Sequence, residues 1–187
     1  TIGNTTLDAL NDRQLTELRR TEVGFIFQSF NLVPTLTARE NIVLPLALGG
    51  RRGDADWIEQ VIDTVGLRDR LSHKPSELSG GQQQRVAIAR ALALDPKVLI
   101  CDESVSMLDA EIQADVLTLL RSLQKQLGLG MVFITHDLAV ASGFCHRVIV
   151  LDQGRIVEEG PGDQLLSSPH AAITRKLVEA CPRLPAA

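Results

Sequence analysis

The chain has 187 residues, of which 44% are hydrophobic and 22% charged, and its formal net charge is −4. This composition indicates a globular chain with a sizeable core, and the acidic balance argues against a dedicated nucleic-acid binder, which would carry a basic stripe. No apolar run approaches the length of a membrane span, and the first residues lack the layout of a signal peptide, so we expect a cytosolic chain.

The cysteines give no sign of a disulfide framework or a zinc site. Cys101, Cys145 and Cys181 are odd in number and widely separated, without a C-x-x-C pair. We expect three reduced, packed thiols.

The first elements are a polar helix and a short strand. Asp12 is predicted to cap a helix that runs through Arg20. Val23 then begins an alternating apolar pattern that predicts a strand ending at Gln28. Three phenylalanines cluster here, and core packing is favoured over an exposed docking surface: Phe25, Phe27 and Phe30.

The next section, residues 31–94, is predicted to be mainly helical. Thr37 and Glu40 form a T-x-x-E capping box that starts a helix through about Leu48, with Pro45 bending or ending it. An amphipathic helix follows, ended by Gly66, with apolar residues at i, i+3, i+4 and i+7. These are Ile58, Val61, Ile62 and Val65.

The stretch LSGGQQQRVAIARALA, residues 78–93, predicts a turn that runs directly into a helix. Ser79 is a natural N-cap, and Gly80 and Gly81 leave backbone N–H groups uncovered. The positive end of the helix dipole faces the same turn, so a phosphate is the ligand that this arrangement favours. An ordinary capped helix is the alternative.

The last section alternates strands and helices, which predicts an α/β fold with a parallel sheet. The apolar run 98–101 predicts a strand buried on both faces, and 131–135 a second such strand that delivers His136. Asp109 is predicted to cap a long helix closed by Gly128. Strands at 148–151 and 156–158, joined by a turn, are expected to finish the sheet.

Asp102 and Glu103 follow the first of these buried strands. One carboxylate suits a magnesium ion held through water, and the other suits the orientation or deprotonation of a nucleophilic water. Carboxylates at a strand end can also merely cap a following helix, so this pair alone does not decide between the two interpretations.

The combination of motifs resembles the ATP-binding cassette (ABC) ATPases, which power ABC transporters. LSGGQ, the Asp-Glu pair twenty residues later, SMLD at 106–109 and ITHD ending at Asp137 occur in the order and spacing of that family. The resemblance implies a partial P-loop NTPase (RecA-like) core with a helical subdomain insert. Its expected divisions are the end of the first core part with the Q-loop at 1–30, the helical subdomain at 31–94, the catalytic core at 95–160 and a C-terminal extension at 161–187.

The resemblance also implies the roles of single residues. Glu103 matches the general base, Asp102 the magnesium-binding Walker B aspartate, and His136 the switch histidine at the γ-phosphate. Gln28 matches the Q-loop glutamine, which contacts magnesium and water. The remaining matches, expected to bind ATP held by the opposite subunit or to lie at the dimer interface, are Ser79, Gly80, Gly81, Gln82 and Asp109.

The family's phosphate-binding loop, G-x-x-x-x-G-K-[ST], is not in the sequence, and in relatives it lies upstream of the matching region. We therefore expect the chain as given to bind ATP poorly and to hydrolyse it hardly at all. Two alternatives to a transporter ATPase follow: a non-hydrolysing half-site that lends its signature motif to a partner cassette, and a soluble ABC-type ATPase acting on DNA or ribosomes. The acidic balance argues against the second.

As a transporter subunit, the chain is expected to use ATP and Mg²⁺ and to form a homo- or heterodimer with a second ATPase subunit. It would bind transmembrane permease subunits at the cytoplasmic face of the cell membrane. VGFIFQSFNLVPTLTARENIVLPL is similar to the lipoprotein-release and macrolide-export branch, whereas DESVSMLDAEIQADVLTLLRSLQ and SSPHAAITRKLVEACP are similar to the peptide and nickel import branch. The longer resemblance favours import.

Overall fold

A computed structural model describes residues 1–3 and 5–181, so the last six residues of the predicted C-terminal extension lie outside it. The chain divides into two compact units, Thr1–Val132 and Phe133–Ala187. No helix in the described ranges is both long enough and apolar enough to cross a bilayer.

The first α-helix of the first unit is α1, Asp12–Thr21. Its N-cap is Asn11 rather than the predicted Asp12: the Asn11 side chain accepts a hydrogen bond from Gln14 N–H at 3.0 Å. Gln14 Oε1 accepts one from Asn11 N–H in return. Both residues are needed for this reciprocal box, and Asp12 instead contributes a favourable charge to the first turn.

Helices α2 (Ala38–Leu48) and α3 (Ala55–Thr64) follow the sequence prediction closely. The capping box of Thr37 and Glu40 is present. Pro45 lies inside α2 without ending it, because the helix continues to Leu48. After α3, Gly66 adopts a left-handed conformation with φ +69°, as expected for a helix terminator.

Helix α4, Gly80–Leu92, runs through the core of the first unit. It packs against α2, α3, α5 (Ala110–Leu127) and β1 (Val23–Ile26). Eight of its residues are buried, far more than one amphipathic stripe. They are Gly81, Gln84, Val86, Ala87, Ile88, Ala89, Ala91 and Leu92.

The sheet has the strand order β1-β2-β3, where β2 is Val98–Asp102 and β3 is Gly130–Ile134. β1 and β2 are parallel and pair from Val23 with Val98 to Ile26 with Cys101. β1 therefore ends two residues before Gln28.

The predicted core packing of the three phenylalanines is wrong, because none of them is buried and Phe27 is 40% exposed. The rings of Phe25 and Phe27 stack on each other with centroids 5.9 Å apart.

The strands β2 and β3 were predicted to be buried on both faces, but their side chains are less buried than expected. In β2, Leu99 and Cys101 are buried while the alternate residues are half-buried. In β3, exposed and half-buried residues alternate, with Val132 49% and Ile134 47% exposed. β3 is the last strand of the sheet order, so among the described residues no strand covers its outer edge.

The second unit contains α6 (Leu138–Phe144), the strands β4 (Val148–Asp152) and β5 (Arg155–Gly160), α7 (Gly162–Ser167) and α8 (Ala172–Ala180). β4 and β5 form an antiparallel hairpin with the expected turn at Gln153-Gly154, where both residues have positive φ. The hairpin is a separate two-stranded sheet, so the prediction that it finishes the parallel sheet is wrong for the described residues.

The apolar core of this unit lies between the hairpin and its helices. Its buried members are Leu138, Ala141, Val148, Val150 and Leu165. The opposite face of the hairpin is exposed, with Leu151 at 64% and Ile156 at 59%.

A carboxylate joins this hairpin to α8. Glu158 accepts hydrogen bonds from the backbone N–H groups of His170 at 2.8 Å and Ala171 at 2.9 Å, just before α8 begins. The Thr174 side chain and these two N–H groups lower the pKa of Glu158 to about 2. Negative charge at a helix N-terminus is favourable, so the ionised carboxylate stabilises the start of α8.

Candidate functional site

The carboxyl ends of β1 and β2 bring three of the predicted site residues to one edge of the sheet. Because the strands are parallel and Ile26 pairs with Cys101, Gln28 and the pair Asp102-Glu103 follow the same edge. The Gln28 carboxamide extends towards the next loop, where Nε2 donates to Ser106 Oγ at 3.4 Å. All of these residues belong to the first unit.

The backbone of Glu103 is in the left-handed region, with φ +48°. For a residue with a Cβ this conformation costs about 1–2 kcal/mol, so the surrounding structure must hold it in place. Part of that support is local: the Glu103 carbonyl accepts hydrogen bonds from Ser106 Oγ at 2.8 Å and Ser106 N at 3.2 Å. Non-glycine residues with positive φ concentrate at functional sites, which fits the role expected for Glu103.

Asp102 is the last residue of β2, and its side chain is exposed. Within the described residues it makes no hydrogen bond or ion pair, so both carboxylate oxygens are available to a hard cation. No cluster of three or more His, Cys, Asp and Glu side chains occurs in this part of the chain. Mg²⁺ does not need one, because it is commonly held by one or two carboxylates, substrate phosphates and water. The donor set therefore fits magnesium held together with a nucleotide.

The turn before α4 is closed by a reciprocal capping box. Gln82 N–H donates to Ser79 Oγ at 3.3 Å, and Ser79 N–H donates to Gln82 Oε1 at 2.9 Å. Both predicted side-chain ligands thus hold the helix start. The N–H groups of Gly80 and Gly81 are the free donors of the first turn, since an α-helix offers them no internal acceptor. A phosphate would be bound here mainly by backbone.

The two glycines of this turn differ in their surroundings. A Cβ on Gly80 would lie 3.8 Å from Leu108 Cδ2, an ordinary contact, whereas a Cβ on Gly81 would lie 2.8 Å from Ile112 Cγ2. Gly81 therefore permits the close approach of α4 to the start of α5. Gly80 has no such packing requirement, because a Cβ there would meet only ordinary van der Waals contacts.

Asp109 is the N-cap of α5, and its Oδ1 accepts a hydrogen bond from Ile112 N at 3.0 Å. Its carboxylate therefore has a structural role within the chain in addition to the interface role expected from the sequence. Two residues earlier, Met107 is 66% exposed. The loop between β2 and α5 thus carries an exposed apolar side chain.

His136 belongs to the second unit, where it follows β3 and is exposed. The residue after it fixes the turn: Asp137 is the N-cap of α6 and accepts hydrogen bonds from Ala139 N at 2.9 Å and Val140 N at 3.2 Å. Asp137 N donates to Thr135 Oγ1 at 3.1 Å. His136 is thus presented between a strand end and a capped helix.

Two polar residues of α4 make inward contacts that were not predicted from the sequence. Gln84 is fully buried, and its Nε2 donates to the Ser104 carbonyl at 2.6 Å. Arg90 donates to the carbonyls of Phe30 at 2.8 Å and Asn31 at 2.6 Å. Spacing could have placed Gln84 on the buried face, because it lies four residues before Ile88.

The comparisons with known proteins agree with one another. The family model described as "ABC transporter" matches residues 2–106. The "Methionine import ATP-binding protein MetN" of Rhodospirillum rubrum is 44% identical over 179 residues, which are 95% of this chain and 51% of that protein. The "Methionine import ATP-binding protein MetN 2" of Oceanobacillus iheyensis is 43% identical over 96% of this chain and 53% of its own length. The chain spans about half the length of the curated relatives it matches.

Among solved structures, the chain is similar to a dimeric ATP-binding cassette in a post-hydrolysis state bound to ADP and Pi. The TM-score is 0.70 and the sequence identity 40%, with 86% of this chain and 71% of that chain covered. The α/β fold predicted from the sequence is therefore confirmed, as is the resemblance to ATP-binding cassettes.

Proposed function

The chain belongs to the ABC transporter family, and we propose that it is the ATP-binding and ATP-hydrolysing subunit of a membrane importer. The observation that carries this proposal is the single sheet edge that gathers Gln28, Asp102 and Glu103. Parallel α/β sheets bind ligands at this edge, and phosphoryl transfer needs a metal-binding carboxylate and a residue that orients water.

We assign the reaction to four side chains. Glu103 orients and deprotonates the attacking water, Gln28 holds that water and the metal from the neighbouring strand end, and His136 contacts the γ-phosphate. Asp102 holds Mg²⁺, which when bound neutralises charge on the β- and γ-phosphates. The exposed, unpaired Asp102 carboxylate supports this assignment.

The start of α4 acts on a second nucleotide. In our proposal a second cassette subunit supplies the ATP that the free N–H groups of Gly80 and Gly81 bind, with Ser79 and Gln82 shaping the turn, and Asp109 lies at the interface. The dimeric state of the similar solved cassette supports this arrangement. Two composite ATP sites would thus close together when the subunits associate.

The permease partners, the cytoplasmic face of the membrane as location and the direction of transport are likewise proposals. The named relatives are methionine import proteins, and the first of them matches 95% of the chain. The match to this import protein spans both stretches, and we take it as support for import. We propose uptake, with methionine as the first cargo to test in the assembled transporter.

ATP hydrolysis by the chain extended upstream through its reading frame tests the proposal. We expect Mg²⁺-dependent turnover by the extended chain, a loss of about a hundredfold or more in the Glu103→Gln variant, and little turnover by residues 1–187 alone. The control is Glu111→Gln, a change in the exposed first turn of α5. Equal turnover by the wild type and Glu103→Gln would refute the assignment of the base.

A further inference from the structure

The side chain of Gln84 ties helix α4 to the turn that carries Glu103. Gln84 is 0% exposed, and the 2.6 Å bond from its Nε2 ends on the carbonyl of Ser104, the residue directly after Glu103. A carbonyl oxygen only accepts hydrogen bonds, so this contact fixes the carboxamide with its NH₂ group towards the turn. The bond therefore has a defined direction, from the helix to the backbone of the catalytic turn.

The bond to Ser104 is the hydrogen bond that the Gln84 side chain makes among the described residues. Its Oε1 is buried without a hydrogen-bond partner among the described residues, and so is Ser104 Oγ beside the accepting carbonyl. Burying an unpaired polar atom is unfavourable, and an apolar residue of the same length would avoid that cost. What the glutamine adds at this position is one donor to one carbonyl.

That carbonyl belongs to a strained turn. Glu103 has φ +48°. The hydrogen bonds that Ser106 donates to the Glu103 carbonyl lie within the turn, so they move together with the turn. The bond from Gln84 instead comes from a different element. A backbone conformation of this kind persists only where its surroundings hold it, and a hydrogen bond from a buried helix is a rigid support.

The other end of α4 makes a similar contact with the segment after Gln28. Arg90 donates to the carbonyls of Phe30 and Asn31, and Asn31 is also left-handed, with φ +50°. Helix α4 thus contacts the backbone at or beside two left-handed residues. One is Glu103 itself, and the other is Asn31, three residues after Gln28. The same helix begins at the Ser79 turn, where the second nucleotide would bind.

We propose that Gln84 is a positioning residue for Glu103: it holds the Ser104 carbonyl, and through it the left-handed backbone that aims the Glu103 carboxylate. This inference rests on the proposed ATPase function for its kinetic consequence but not for its structural one. A shift of α4 on phosphate binding at its N-terminus would reach the backbone beside Glu103 of the same chain through this bond.

The structural consequence is measured on residues 1–187 without ATP. In Gln84→Met, which keeps the length of the side chain and removes the donor, we expect the amides of Ser106 and Leu108 to exchange hydrogen at least about tenfold faster, because local opening governs such exchange. The matched control is Gln83→Met, whose carboxamide donates to Leu78 O within its own turn. Unchanged exchange in Gln84→Met would overturn the inference.

The kinetic consequence is measured on the upstream-extended chain. We expect Gln84→Met to lower kcat about ten- to a hundredfold with little change in KM, since a displaced catalytic group costs rate rather than binding. In a Glu103→Gln background the same change should have no further effect on kcat. Full additivity of the two changes would overturn the inference.

A second variant covers the case in which Gln84→Met does not fold. In Gln84→Glu the introduced carboxyl can donate to the Ser104 carbonyl only when protonated, so we expect kcat relative to wild type to recover as the pH falls. A deficit that stays constant or grows with acidification would contradict a positioning role. If the wild-type extended chain does not hydrolyse ATP, the proposed function fails, and hydrogen exchange alone decides for or against the role of Gln84.

Discussion

The guanidinium of Arg90 donates a hydrogen bond from Nη2 to the carbonyl oxygen of Phe30 at 2.8 Å. Nη1 of the same group donates to the next carbonyl, that of Asn31, at 2.6 Å. Burial lowers the pKa of this guanidinium. We expect Arg90→Lys to reduce the free energy of unfolding by about 1.5–3 kcal/mol, because an ammonium cannot match the planar fork that binds two successive carbonyls.

Urea unfolding measures this effect. Arg20→Lys is a suitable control, because the Arg20 side chain is exposed and its bond to Gly49 O is long, at 3.4 Å. The control should change the stability by less than about 0.5 kcal/mol. If both variants unfold at the wild-type urea concentration, the Arg90 contacts do not stabilise the segment after Gln28.

Two serines of the turn after β2 should respond in opposite directions. Ser104 Oγ is buried and has no hydrogen-bond partner in the described part of the chain, so Ser104→Ala should leave stability unchanged or raise it by up to about 1 kcal/mol. Ser106 Oγ donates to the Glu103 carbonyl at 2.8 Å, so Ser106→Ala should lower stability by about 1 kcal/mol. Denaturant midpoints of the two variants, measured side by side, check the difference in sign.

The two glycines at the start of α4 form another matched pair. Gly81→Ala would place a Cβ 2.8 Å from Ile112 Cγ2 and should cost about 1–3 kcal/mol of stability through overpacking. Gly80→Ala has room and should fold normally, with a change within about 0.5 kcal/mol.

Ile112→Ala, combined with Gly81→Ala, should recover part of the loss, because it removes the methyl group that clashes. Thermal unfolding of the three variants and the wild type gives the coupling energy. Independent, additive effects would show that the contact between α4 and α5 is not what excludes a side chain at position 81.

The Glu158 carboxylate makes the start of α8 sensitive to acid. Its pKa is lowered from the ordinary value of 4.5 to about 2, so its contribution to stability is fully present above about pH 4.5 and is lost as the pH falls towards 2. We expect Glu158→Gln to be less stable than wild type at neutral pH and the difference to disappear near pH 2.

Unfolding monitored by circular dichroism at a series of pH values tests this expectation. Glu159→Gln serves as the control, because that carboxylate pairs with the exposed Arg147 at 2.7 Å, whereas Glu158 accepts the N–H groups before α8. A difference between Glu158→Gln and wild type that is independent of pH would mean that ionisation is not what stabilises the helix start.

Local signals in the sequence were sufficient for most of the elements. The capping boxes at Thr37 and Ser79 and the N-cap at Asp109 start helices where they were predicted to start. These predictions hold because a cap is a contact within three residues, so distant parts of the chain do not alter it. The position of Asp102 at the end of a strand was predictable for a similar reason, since a continuous apolar run precedes it.

Features that depend on distant partners were predicted poorly. The apolar run of β3 indicated burial, yet cover depends on what lies next to the strand and not on the strand itself. The inward contact of Gln84 was not predicted, because its carbonyl partner on Ser104 lies twenty residues along the chain. The left-handed backbone of Glu103 had no signal in the sequence, since glutamate does not favour it.

The pairing of Val23 with Val98 has a consequence for synthesis of the chain on the ribosome. All of α2, α3 and α4 must be made before β2 exists, so β1 emerges early and waits without a parallel neighbour. Helix α4 packs against β1 and is completed before β2, so it can cover the waiting strand before β2 pairs with it. The pace of translation between Ile26 and Asp102 therefore sets how long an unpaired strand edge is exposed to other nascent chains.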